Sequence, residues 1–320
     1  MANFWEKLQK PFFVLAPMAD VTDTAFRRVI TKYGKPDVMW TEFVSADGLA
    51  SEGRKALSID LLYTEAERPI VAQLFSAHPD KMREASYYVA SLGFDGIDIN
   101  MGCPDRSVEK QGAGAAMIKN PESAKAIIQA VKDGIRDAGK NIPVSVKTRV
   151  GYNKVQIDEW IPFLLEQDIS ALTIHARTRK EMSLVPARWE HVREVVEIRD
   201  RMGIKTKIIG NGDARDISHA KELIDQTGCD GVMLGRAIFG NPWLFSGYIP
   251  DTKEKLKVMV EHTKLYEELL GKHKNFAIMK KHYKAYVNGF DGAKELRMKL
   301  MDASDATEVE SIVDNFLASV

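Results

Sequence analysis

The segment Asp98-Ile99-Asn100-Met101-Gly102-Cys103-Pro104 carries a thiol whose placement could do chemistry. Strand alternation puts Asp98 and Asn100 on one face. Cys103 follows the strand end, between glycine and proline in a tight loop, and the polar residues 105–114 with Gly112 and Gly114 can form a mobile cover. A thiol so placed can give or take a proton or act as a nucleophile, although a bare loop cysteine is more often inert. Lys147 stands in Val144-Ser145-Val146-Lys147-Thr148-Arg149. An ammonium group inside a fold is costly without a polar partner. A buried glutamate would satisfy it, as would a cofactor carbonyl or a developing negative charge. His175 ends Leu172-Thr173-Ile174-His175, with Arg177 and Arg179 just beyond. It reads as a core histidine or, with those arginines, as a ligand for an anionic or heterocyclic group.

Other segments are quieter. Pro17 in Ala16-Pro17-Met18-Ala19 cannot donate to a sheet ladder. The segment is a simple strand stop or a place where backbone approaches a flat ring. Gln73 needs partners for its donors and its acceptor, from a structural network or from a heterocycle. Asn211-Gly212-Asp213 and Gly235-Arg236 end the last two apolar runs. Glycines there let backbone N–H groups reach a phosphate, and Arg236 can add a bidentate contact. Cys229 precedes a run and is assigned a packing role.

These residues need a frame that brings them to one end. Short apolar runs occur at Phe13–Met18, Val38–Phe43, Ile70–Phe75, Gly96–Asn100, Val144–Arg149, Ala171–Ala176, Lys207–Asn211 and Gly231–Leu234. Helical patterns lie at Asp80–Leu92, Pro121–Ala138, Gln156–Gln167, Arg188–Met202 and Asp216–Thr227, whereas 44–69 is long and only partly helical. The alternation predicts a parallel sheet with crossover helices, and eight runs favour a (β/α)8 TIM barrel. Active sites of that fold form at the strand C-termini, with phosphate bound after strands seven and eight. After Pro250 the pattern turns helical at Thr252–Leu270, Asn275–Val287, Ala293–Met301 and Ala306–Ala318. This predicts a barrel domain over 1–249 and a small C-terminal α-helical bundle over 250–320.

The 320 residues carry zero formal net charge, so no nucleic-acid partner follows from the overall balance. Only two cysteines are present, without metal-ligand spacing, which predicts neither a disulfide framework nor a metal site and fits a cytoplasmic, non-membrane protein. Charge is uneven locally. Lys272, Lys274, Lys280, Lys281, Lys284, Lys294, Arg297 and Lys299 outnumber Asp291 and Glu295, beside Phe276, Tyr283, Tyr286 and Phe290. That stretch is a solvated helix surface over core aromatics, or a phosphate-backbone binder.

Taken together, Ala16-Pro17-Met18-Ala19, the Asp98–Pro104 segment, Gly112-Ala113-Gly114-Ala115, Thr173-Ile174-His175-Ala176-Arg177-Thr178-Arg179, Asn211-Gly212-Asp213 and Gly235-Arg236 resemble the tRNA-dihydrouridine synthase family. The likeness runs over about residues 11 to 301, and Ala176 stands where many relatives carry glycine. The resemblance implies FMN as cofactor and NADPH as reductant. It implies that Pro17, Met18, Ala19, Gln73, Lys147, His175, Asn211, Gly212, Asp213, Gly235 and Arg236 hold the flavin. It implies Cys103 as proton donor and Asn100 as reader of the uracil edge. Reduction of a D-loop uridine then takes a hydride at C6 and a proton at C5, on a base drawn out of its stack. Arg177, Arg179, Lys280, Lys281, Lys284 and Arg297 are expected to hold the tRNA, on a monomeric enzyme. Two rival readings are an FMN barrel acting on a free pyrimidine and a non-catalytic RNA-binding protein on a barrel scaffold.

Overall fold

The computed structural model describes residues 3–319. In chain order it contains β1 (Phe12–Leu15), α1 (Thr24–Gly34), β2 (Met39–Ser45), β3 (Ile70–Phe75), α2 (Pro79–Ser91), β4 (Gly96–Met101), α3 (Pro121–Asp137), β5 (Val144–Arg149), α4 (Ile157–Leu165), β6 (Ala171–His175), α5 (Glu190–Arg201), β7 (Lys207–Asn211), α6 (Ile217–Thr227) and β8 (Gly231–Leu234). The eight strands form one parallel sheet in the order β1-β8-β7-β6-β5-β4-β3-β2. Its two ends meet where Val14 bridges Val38. There the Leu15 N–H donates to the Val38 carbonyl at 3.2 Å. The architecture is α/β, of TIM-barrel type.

Register explains how one sequence builds both a core and a site. Paired residues of a parallel sheet share a face. Phe12 pairs with Gly231 and Val14 with Met233, while Trp40 pairs with Val71. These residues enclose an apolar layer with Ala171 and Ile209, and Trp5 closes it from below. Two residues further along the same face the chemistry changes. Gln73 pairs with Asp98, Asp98 with Ser145, Asn100 with Lys147, Lys147 with Thr173, and His175 with Arg149 and Asn211. A polar layer therefore sits on the apolar one, at the strand C-termini. The alternate residues, such as Ile97, Ile99, Val146, Leu172 and Ile174, face outward into the core shared with the helices.

Helix starts follow their caps. Asp216 accepts from the His219 N–H and Asn120 from the Ser123 N–H, with Pro121 in the first turn of α3. Asp80 lies inside the first turn of α2 after Pro79. The first run stops at Leu15, before Pro17, and β2 continues to Ser45 through a bulge between Trp40 and Phe43. Helix α1, absent from the predicted helices, is capped by Asp23, which accepts from the Phe26 N–H at 2.9 Å, and it buries Arg27, whose Nε donates to Glu67 at 2.8 Å. Of the connection expected over 44–69, Val44 and Ser45 belong to β2 and the rest holds only short helical turns, at Ala46–Leu49, Arg54–Leu57, Ser58–Leu61 and Glu65–Glu67. The expected cover after Cys103 contains a short helix, Arg106–Lys110, and a 3-10 turn, Gly114–Lys119.

Beyond β8 come α7 (Thr252–Leu270), α8 (Met279–Tyr286), α9 (Ala293–Asp302) and α10 (Ala306–Ser319). The expected helix over 275–287 is divided, with a 3-10 turn at Phe276–Ile278 before α8. Helix α7 packs on α1, α8 and α10. The apolar core is continuous across this contact, joining Phe26 and Val29 to Leu256, Met259 and Tyr266. Tyr283 and Tyr286 are fully buried in it, which makes them core residues and not part of an exposed basic face. No helix among the described residues is long and apolar enough to cross a membrane.

Candidate active site

A cavity of about 270 Å³ opens at the strand C-termini. Pro17, Met18, Lys147, His175, Asn211, Gly212, Asp213, Gly235 and Arg236 all line it. Ala19 is exposed and Gln73 is fully buried; neither lines this cavity. A larger concavity, about 860 Å³, lies at the other end of the strands around Trp5, Lys207 and Asp230. It is remote from Cys103, Lys147 and His175.

In the polar layer, side chains form a directional hydrogen-bond chain. Ser145 Oγ donates to Asp98 Oδ1 at 2.5 Å, and Gln73 Nε2 donates to Asp98 Oδ2 at 2.7 Å. Gln73 Oε1 then accepts from Asn100 Nδ2 at 3.0 Å. Asn100 Oδ1 accepts the backbone N–H groups of Gly102 at 3.1 Å and Cys103 at 2.9 Å. An acceptor-only carboxylate at one end fixes both amide orientations, since neither can flip without leaving buried donors facing one another. Burial raises the Asp98 carboxyl to about 6, against the hydrogen bonds from Gln73 and Ser145 and the charge of Lys147.

Cations dominate the neighbouring sector. Burial, assisted by the Arg149 charge, lowers Lys147 to about 8, while Asp98 and Cys103 oppose the shift. Among the described residues, no carboxylate lies within ion-pair distance of Lys147 Nζ. The buried Lys–Glu pair considered from sequence is therefore not formed. Burial, with Lys147, Arg149, Arg177 and Arg236 nearby, holds His175 well below its usual range, hence neutral. Arg177 Nη1 lies 3.2 Å from His175 Nε2. A guanidinium can only donate, so Nε2 accepts and the ring proton is on Nδ1.

The β7 and β8 loops form one corner. Gly212 has φ 126°, and a Cβ there would come within 2.8 Å of the Ala187 Cβ, so glycine is required. Asp213 takes the left-handed φ of 56°. Its carboxylate accepts from Arg177, from the Ala187 N–H at 2.8 Å and from Arg236 Nη2 at 2.6 Å. Burial alone would raise this carboxyl, but the Arg177 bond and the other donors hold it below its usual range. The Asp213 side chain thus orients two arginines beside the cavity.

Cys103 is half-buried against Phe75, Val108 and Ala113. Burial raises its thiol further, so it stays protonated at neutral pH. The cysteine loop is tied down. The Ala115 N–H donates to the Cys103 carbonyl at 2.9 Å, and Arg149 Nε donates to the Gly102 carbonyl at 2.7 Å. Arg149 also reaches the Thr178 carbonyl at 3.1 Å. Sequence reasoning gave Arg149 no role, although its strand alternation with Lys147 was the signal for it. Arg179 Nε donates to Glu109 at 2.8 Å, joining the β4 and β6 loops.

The residues expected to hold RNA are dispersed. Arg177 is 3% exposed and lines the cavity, so it is a wall residue and not a surface contact, because Asp213, His175 and the Val185 carbonyl consume its donors. Arg297 Nη1 donates to the Val287 carbonyl at 2.7 Å and closes the end of α8. Lys280, Lys281 and Lys284 are on α8, with Lys284 exposed.

The family model described as "Dihydrouridine synthase (Dus)" matches residues 14–320. A Staphylococcus aureus (strain COL) protein named "Probable tRNA-dihydrouridine synthase" is 40% identical over 323 residues, covering 99% of this chain and 97% of the relative. A Bacillus subtilis (strain 168) protein, "Probable tRNA-dihydrouridine synthase 2", is 41% identical over 319 residues, covering 98% and 96%. Among solved structures, histamine dehydrogenase from Rhizobium sp. 4-9 superposes with a TM-score of 0.52 at 11% identity, over 84% of this chain and 50% of that one. A 2-naphthoyl-CoA reductase complex gives a TM-score of 0.52 at 11% identity, over 73% and 49%. The chain spans about half the length of those two structures, and they speak to the fold alone. The sequence match over nearly its whole length shows that the chain belongs to the dihydrouridine synthase family.

Proposed function

We propose that this protein reduces D-loop uridines of tRNA to 5,6-dihydrouridine, with FMN as cofactor and NADPH as reductant. The observation that carries the reading is the joint placement of Lys147, His175 and Asn211 in one cavity at the strand ends, with the thiol loop of Cys103 tied to the same polar layer. The residues fit a flavin. Lys147 lacks an anionic partner of its own, and the Gly212 and Gly235 backbones with Arg236 suit a phosphate. Gln73, buried in the polar layer beside Asn100, and Ala19, at the rim, act in this reading through the residues they adjoin.

When bound, the flavin supplies the hydride that uracil receives at C6. Lys147 offsets negative charge on the ring beside it. Neutral His175 offers a hydrogen bond without adding charge. Asn100, its carbonyl committed, keeps an N–H for a uracil oxygen. Cys103, kept protonated by burial, gives its proton to C5 as the general acid. Residues 1–249 form the catalytic domain, and 250–320 form the RNA-binding part, with Lys280, Lys281 and Lys284 meeting backbone phosphate. Arg179 serves the rim through Glu109, and Arg297 serves by supporting α8. The enzyme acts as a cytoplasmic monomer. A free-pyrimidine reductase would share the cavity but leave the α8 lysines without use.

Two measurements test the proposal. Purified full-length protein should be yellow or take up FMN, and cells lacking the gene should lose dihydrouridine from defined tRNA positions by mass spectrometry. Colourless protein indifferent to FMN, or an unchanged dihydrouridine content, would overturn it.

A further inference from the structure

Lys274 does not share the solvated face formed by its lysine neighbours in sequence. It is 13% exposed, with Nζ 2.7 Å from Asp60, 3.0 Å from Glu42 and 3.8 Å from Asp20. The carboxylates come from the turn after β1, from β2 and from the 3-10 turn Ser58–Leu61. The lysine comes from the loop after α7. Two hydrogen bonds set that loop: the Lys274 N–H donates to the Leu270 carbonyl at 2.8 Å, and Tyr266 Oη donates to the Asn275 carbonyl at 3.0 Å.

Glu42 is the hinge of the cluster. It lies in the β2 bulge between Trp40 and Phe43, and bulges re-aim side chains. Lys274 Nζ donates to both carboxylate oxygens, Oε2 at 3.0 Å and Oε1 at 3.3 Å, and Oε1 also accepts the backbone N–H of Asp20 at 2.5 Å. Asp20 has φ 53°, a left-handed conformation that a residue with a Cβ holds at a cost. The same turn is closed by the Val21 N–H donating to the Met18 carbonyl at 3.1 Å, and Pro17 and Met18 are cavity wall. A continuous path of polar contacts thus leads from the C-terminal helices to the pocket. Burial raises Glu42 to about 7 despite Lys274, with Asp60 and Asp23 adding to the rise. Removing the ammonium would leave a buried group that takes up a proton, and a neutral acceptor holds an N–H about half as strongly as a charged one.

We propose that Lys274, acting through Glu42, is a positioning residue for the turn Met18–Val21, so that the C-terminal helices contribute to flavin retention as well as to RNA binding. The inference rests on the flavin reading above. It differs from a simple staple between barrel and tail, which would affect unfolding temperature without changing the pocket of the folded protein.

The test uses the full-length chain as wild type, Lys274→Met, Lys274→Arg, Glu42→Gln and the Lys274→Met/Glu42→Gln double variant. FMN affinity is measured by fluorescence titration, and hydrogen exchange of the Asp20 amide is measured in flavin-free protein below the unfolding transition. Lys274→Met should weaken FMN binding about tenfold, the scale of weakening one hydrogen bond to a charged group, and should speed Asp20 exchange. Lys274→Arg should restore both, and Lys274→Met should add nothing in the Glu42→Gln background. Wild-type FMN affinity and wild-type Asp20 exchange in Lys274→Met would overturn the proposal. So would full additivity of the two single effects. If Lys274→Met does not fold, unchanged FMN affinity in Glu42→Gln overturns it. A wild-type protein that binds no FMN would sink the cofactor reading instead, while faster Asp20 exchange in Lys274→Met would still support the link from tail to turn.

Discussion

The side-chain carbonyl of Asn100 accepts the backbone N–H of Cys103 at 2.9 Å. The residue read as the base contact and the residue read as the acid are therefore one mechanical unit. Its far end is Asp98, through Gln73.

Replacing either end of that bond should separate chemistry from binding. Cys103→Ala should keep FMN and tRNA affinity while turnover falls by about 10²–10⁴, the usual worth of a positioned acid. Asn100→Ala should also lower turnover, by releasing the loop, with FMN affinity unchanged. Single-turnover kinetics beside equilibrium titrations would check both. Unchanged turnover in Cys103→Ala would remove it from the acid role.

Lys147 should impose an alkaline limit on the reductive half-reaction. Its pKa is lowered to about 8, so its charge is present below that pH and lost above it. Flavin reduction by NADPH should slow as pH rises through about 8 in the wild type. In Lys147→Met it should be slow throughout and lack that limb. Stopped-flow reduction between pH 6 and 10 gives the comparison, and an identical limb in the variant would contradict the assignment.

Asp98 should cost stability at neutral pH. Its pKa is raised to about 6, whereas an unfolded aspartate titrates near about 3.9. Its contribution is fully present below about pH 4 and is lost as pH rises through about 6. Asp98→Asn removes the titration, so its stability relative to wild type should increase with pH across that window. The increase should be up to roughly 3 kcal/mol, at 1.36 kcal/mol for each factor of ten. Urea unfolding at pH 4 and pH 7 would show it; a difference that does not change with pH would argue against the shift.

The lysines of α8 should contribute salt-sensitive affinity. Lys280→Glu, Lys281→Glu and Lys284→Glu together should weaken tRNA binding and flatten its dependence on salt, by about 0.7–0.9 in log–log slope for each phosphate no longer neutralised. FMN affinity should not change. Deleting 250–320 is a poorer test, because it would bare Phe26 and Val29, which pack on the C-terminal helices in one core.

The strand set was legible from sequence because buried parallel strands are short apolar runs with sharp ends. The bounds of β3, β5, β7 and β8 match the predicted runs residue for residue. Alternation within β4 also put Asp98 and Asn100 on one face; the same spacing of Lys147 and Arg149 in β5 carried the signal for Arg149, which was not drawn. Long-range pairing was not legible. The partner of Arg27, buried on α1, is Glu67, forty residues later. Nothing near Lys274 in the sequence tells it from Lys272 or Lys280; its partners are Glu42 and Asp60, more than two hundred residues earlier. Arg177 looked like a surface cation until Asp213 took it into the wall. Local pattern determines which residues are strand, helix or turn, because backbone periodicity is a property of neighbours. Only the tertiary structure decides which charges are spent on one another, because electrostatic partners are set by distance in space and by the water excluded between them.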